Sequence, residues 1–103
     1  LTHFCNEGVD LHHIFPQKYC KYQGYPKEKW DSLMNKAPVA SSTNRVLGGL
    51  APSEYLRKIE RAHDITSPRL DHILSTHLIQ PSLLRSDNFD AFIRDRARRV
   101  LDL

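Results

Sequence analysis

The chain has 103 residues, 40% hydrophobic and 26% charged, the balance of an ordinary folded domain with one modest core rather than of a disordered segment. No apolar run approaches the roughly 20 residues a membrane-crossing helix needs. The formal net charge of +3 suits a polyanionic partner without demanding one, and Cys5 and Cys20 are spaced for neither a zinc ribbon nor a redox pair, so they read as free thiols.

Val9 to Phe15 is a short apolar run closed by Pro16, and it reads as a first strand. From Pro16 to Met34 a long connection interleaves Lys18, Lys21, Lys27 and Lys29 with Tyr19, Tyr22, Tyr25 and Trp30. A short helix is expected inside it, with Pro26 in the first turn and Trp30, Leu33 and Met34 on one face. Ala37 to Ala40 is a weaker second strand, which Pro38 confines to a sheet edge. Ser41, Ser42 and Thr43 are N-cap candidates for a helix opening at Asn44-Arg45-Val46-Leu47, and Gly48-Gly49 supply its stop.

Beyond Gly49 the periodicity is helical. Pro52 to about His63 carries Tyr55, Leu56 and Ile59 at helical spacing. Ser67-Pro68 reads as a cap and a first-turn proline ahead of the stripe Leu70, Ile73, Leu74, His77 and Leu78. Asp87 is the expected cap of a last helix on which Phe89, Phe92, Ile93, Ala97, Val100 and Leu101 recur at three and four. The expected class is α+β: a strand–strand–helix core over about 9–49 and an extension of about three helices over about 50–103, in a single domain. The chain opens on Leu1, and a domain cut from a longer protein is the expectation.

The chemically informative residues are few. Asp10-Leu11-His12-His13-Ile14-Phe15-Pro16 puts two histidines at a strand end, and Asn35 and Asn44 follow on either side of the second strand. Cleaving a phosphodiester requires a base to take a proton from water, and neutral imidazole suits that task near neutral pH. It also requires charge stabilisation at phosphorus and the leaving oxygen, which one divalent ion provides, and a group to hold the base in position. The two histidines and two asparagines contain a candidate for each role. Lys18 and Arg45 are the nearby cations that could steady a phosphate.

His12-His13-Ile14-Phe15-Pro16, then Asn35, then Asn44-Arg45 resembles the pattern of HNH (ββα-metal) nucleases. With Gly48-Gly49, Ala51-Pro52-Ser53-Glu54-Tyr55-Leu56 and the last helix added, the chain is similar to the carboxy-terminal domain of GmrSD-type, modification-dependent restriction endonucleases. The likeness spans roughly residues 9 to 100, its catalytic part 12 to 45. It implies a ββα-metal core, with His13 as general base and His12 and Asn44 as metal ligands. Asn35 would orient the base and its loop. The usual ion of the family is Mg²⁺, and an imidazole–amide ligand pair also suits Mn²⁺, Ni²⁺ or Zn²⁺. Asp10, on the strand face of His12, could add a carboxylate or simply be solvated. The implied activity is hydrolysis of double-stranded DNA in cytoplasmic, prokaryotic restriction of foreign or modified DNA. The implied partner is an amino-terminal nucleotide-hydrolysing domain.

Two other functions fit the same residues: a DNA-binding module that does not cut without partner domains, and an HNH nuclease acting on RNA. His3, His63 and His72 read as surface residues, and His77 as core or boundary. Arg94, Arg96, Arg98 and Arg99 read chiefly as a solvated face of the last helix. The lysines and aromatics between Tyr19 and Trp30 fit either a nucleic-acid surface or a loop packed on its own rings.

Overall fold

The computed structural model describes residues 9–40 and 48–102, and at 9, 10, 39 and 40 the backbone alone. Among them the fold is α+β, with a two-stranded antiparallel sheet and six α-helices. The chain divides into two units, Leu1–Ala51 and Pro52–Leu103. The helix expected at Asn44 lies outside the described residues. No helix among the described residues is long and apolar enough to cross a membrane.

In the first unit, β1 (Val9–His13) pairs with β2 (Lys36–Ala40) in the register Leu11 to Pro38, His12 to Ala37 and His13 to Lys36. Each strand of a two-stranded sheet is an edge, the position a proline such as Pro38 tolerates. β1 stops two residues short of the expected Phe15. Asn35 draws the chain out of the strand there: its carbonyl accepts from Ile14 N at 2.7 Å and its side-chain oxygen from Phe15 N at 2.8 Å. Ile14, Phe15 and Pro16 consequently turn inward and are buried.

The long connection holds two helices where one was expected. α1 (Gln17–Gln23) buries Cys20 and ends at Gly24, whose φ of 78° is the left-handed conformation glycine adopts without penalty. α2 (Lys27–Trp30) has Pro26 as its N-cap rather than in its first turn, and it buries Trp30. A 3₁₀ turn over Leu33–Asn35, capped by Ser32 Oγ accepting from Met34 N at 3.0 Å, then re-aims the chain. Trp30, Leu33 and Met34 therefore share no face: Trp30 is buried while Leu33 is 69% exposed. A hairpin of two short strands is marginal by itself. Burial of Phe15 and Trp30 supplies what the ladder lacks, roughly 1.5–3 kcal/mol for a fully buried side chain of phenylalanine size.

The second unit has four helices, one more than expected. α3 (Pro52–His63) has the expected bounds and buries Tyr55 and Leu56. α4 (Ser67–Thr76) is capped by Thr66, one residue before the expected Ser67, through Arg69 N to Thr66 Oγ1 at 3.3 Å. It ends before the expected stripe does, so His77 is an exposed C-cap residue rather than core. α5 (Pro81–Arg85), the added helix, buries Leu84 completely. α6 (Phe89–Leu101) is capped by Asn88, not Asp87, and buries Phe89 and Phe92.

Asp87 caps a different helix. Its carboxylate accepts from Ser53 N at 2.8 Å and Ser53 Oγ at 2.6 Å, at the start of α3. Arg85 joins the other elements, donating to Glu60 on α3 at 2.7 Å and to Asp71 on α4 at 2.9 Å from Nε. The Arg85 bond, then that of Ser67, holds the Glu60 carboxyl below the ordinary carboxylate range.

Candidate active site

The candidate site lies at the end of β1, where the chain leaves the sheet and α2 returns to it. Asn35 is its anchor and is fully buried. Its Oδ1 accepts from Phe15 N at 2.8 Å, while its Nδ2 donates to Phe15 O at 3.0 Å and Trp30 O at 2.8 Å. One side chain thus ties the corner after His13 to the end of α2, with donor and acceptor both satisfied by backbone. An amide so engaged is built to hold a loop rather than to bind an ion.

His13 extends from this corner. Its Nε2 lies 3.0 Å from Asp31 Oδ1, and its ring meets the Trp30 ring edge-on at 5.6 Å between centroids. Lys36, directly opposite His13 in the sheet, places Nζ 3.2 Å from the same Asp31 oxygen. The bond from His13, then that from Lys36, keeps the Asp31 carboxyl below its usual range. The His13 side chain is 23% exposed and that of Asp31 43%, so the group is half-covered yet open to a ligand.

His12 leaves the strand on the other face. Successive strand residues alternate, and the register sets His12 beside Ala37 but His13 beside Lys36. The structure therefore brings His13, Asp31, Lys36, Trp30 and Asn35 together. Asn44 and Arg45, and the side chain of Asp10, lie outside the described residues. Among the described residues no group of three or more His, Cys, Asp or Glu side chains could hold a metal ion. His12 is the sole expected ligand whose side chain is described, so these residues do not by themselves assemble a cage.

Lys18 is exposed on α1, and its stem lies against Gly49 so closely that a Cβ there would come within 2.8 Å of Lys18 Cδ. Lys21 and Lys27, with Gln17 and Trp30, line an open pocket of about 220 Å³ that Asp31 also borders. Lys21 Nζ sits 5.9 Å from the centre of the Trp30 ring. Asp31 was missed by sequence reasoning. The available signal was an acidic residue just after a tryptophan at the end of a short helix, which names no partner.

The chain is similar to an uncharacterized protein of Methanocaldococcus jannaschii, 25% identical over 115 residues. The similarity covers 91% of this chain, which spans about one fifth (20%) of that relative's length. No protein-family model and no solved structure matches the chain.

Proposed function

We propose that this chain is an HNH-type endonuclease domain that hydrolyses double-stranded DNA, with His13 as the general base. The observation that carries the reading is the corner at the end of β1, where the buried Asn35 amide ties the backbone just after a part-buried imidazole to the end of α2, whose Trp30 ring meets that imidazole. Catalysis by a base depends on such fixing, because a group that wanders loses the advantage of proximity. The imidazole of His13 accepts a proton from water as its oxygen attacks phosphorus, and the bond to the 3′-oxygen breaks. The products are a 3′-hydroxyl and a 5′-phosphate. Lys21 and Lys27, which line the pocket that Asp31 borders, give the adjoining surface the charge a phosphate backbone requires, and Lys18 stands on the same helix as Lys21. Arg45 belongs to the same set by sequence.

A divalent ion, Mg²⁺ foremost, with Mn²⁺, Ni²⁺ or Zn²⁺ as alternatives, would be held by His12 with Asn44 and would supply Lewis-acid stabilisation of the leaving oxygen. The relative's greater length supports the view that this domain acts inside a larger protein. An amino-terminal nucleotide-hydrolysing part and a cytoplasmic role in restricting foreign or modified DNA belong to the same proposal.

The pocket lined by Lys21, Lys27 and Trp30 fits a second reading, a DNA-binding domain that does not cut. One experiment separates the two: plasmid cleavage with each of the four ions, with and without chelator, beside the same assay on RNA. The nuclease reading expects nicking that chelator abolishes and that His13→Ala lowers by about 10²–10⁴-fold. Salt-sensitive DNA binding with no cleavage under any ion supports the second reading, and preferential digestion of RNA replaces DNA as the substrate.

A further inference from the structure

We infer that Asp31 is the positioning residue of this site: it holds His13 in the tautomer protonated at Nε2, which makes Nδ1 the atom that takes the proton. The inference rests on His13 being the base and adds which nitrogen acts and what selects it.

An ionised carboxylate accepts hydrogen bonds and donates none, so whatever nitrogen lies against it must carry a hydrogen. Asp31 Oδ1 lies 3.0 Å from His13 Nε2 and 3.2 Å from Lys36 Nζ, and two such donors favour the ionised carboxylate. Nε2 is therefore N–H, and in the neutral ring the lone pair belongs to Nδ1.

Direction follows from the same contacts. The Nε2 bond to Asp31 fixes one end of the ring, and the Trp30 ring meets it edge-on, which limits rotation about the bond to Cβ. The Asp31 backbone is held in turn, its N–H donating to Lys27 O at 2.8 Å. Trp30, the preceding residue, is held by Asn35 Nδ2. Asn35 thus anchors the carboxylate's segment as well as the histidine's. Lys36 has a distinct part: its ammonium balances the carboxylate, so Asp31 orients the ring without leaving an unopposed negative charge beside an incoming phosphate.

The test reads the nitrogen before it reads the rate. In the ¹⁵N-labelled protein, long-range ¹H–¹⁵N correlation spectra of the neutral ring should show one His13 tautomer, protonated at Nε2. His13→Ala identifies the signals. Asp31→Ala, and the near-isosteric Asp31→Leu should the first fail to fold, are expected to give a mixture of both tautomers. Plasmid nicking by the same variants should lose roughly 10–100-fold in kcat with KM within about twofold. A His13 tautomer unchanged by removal of Asp31 overturns the inference, whatever happens to the rate. If the parent protein cuts nothing under any ion, the nuclease reading falls, while the nitrogen signals still decide whether Asp31 sets the tautomer.

Discussion

Asn35 shows how much one buried amide can carry. Replacing it by alanine would remove its bonds to Phe15 N, Phe15 O and Trp30 O in a closed interior, with the weaker Cys20 Sγ bond at 3.5 Å still reaching Phe15 O. Each unsatisfied buried group costs about 1–3 kcal/mol, so Asn35→Ala should lose about 3 kcal/mol or more in urea unfolding. Asn35→Asp should do no better, because a carboxylate aimed at two carbonyl oxygens has nothing to donate. Cys20 gives a second prediction at this scale. Burial pushes its thiol up to about 12, and thiolate is the reactive form. Alkylation of the native protein, mapped by mass spectrometry, should therefore spare Cys20 until denaturant is added. Part of this corner was legible beforehand: the resemblance of His12-His13-Ile14-Phe15-Pro16 and Asn35 to the HNH pattern singles out His13 and Asn35, which the fold brings to one corner. Asp31 was not, because a contact between residues eighteen positions apart depends on how α1 and α2 fold the connection back.

Helix ends were read less well than helix middles, for a physical reason. A hydrophobic stripe reports a buried face, and α3 and α6 have long ones; α1 buries Cys20 alone and has none to read. The proline before it and Gly24 after it were the signals that could have found it. In the second unit the breaks fall at Asp64, Leu78 and Asp87, with φ of 51°, 61° and 55°. Left-handed turns made without glycine carry little punctuation in the sequence, so the five-residue α5 between Leu78 and Asp87 has no counterpart among the expected elements. Asp87 also shows that a capping residue type next to a helix need not cap that helix, since its carboxylate turns to Ser53 across 34 positions. Asp87→Ala should cost α3 its N-terminal cap, about 1 kcal/mol. In thermal melts that is a fall of several degrees, while Asp87→Asn, which keeps an acceptor oxygen, should lose less.

At the scale of the whole chain, the two units offer separate probes of acid unfolding. The sole tryptophan, Trp30, is buried in the first unit, so its fluorescence reports that unit. The four helices of the second dominate the far-ultraviolet circular dichroism. Asp31 and Glu60, one in each unit, both have carboxyls held below the ordinary range. A group whose pKa falls on folding stabilises the native state above its unfolded value, about 4, and loses that contribution as pH drops through the folded value. Both units should thus keep these contributions at neutral pH and shed them only below about pH 4. Glu60→Gln removes the titrating group and its ion pair with Arg85 together. The variant should be less stable at pH 7 and show a flatter dichroism loss on acidification. The tryptophan transition should stay where the parent has it, provided the units unfold separately. Equal displacement of both signals would instead show that acid unfolds the two units as one.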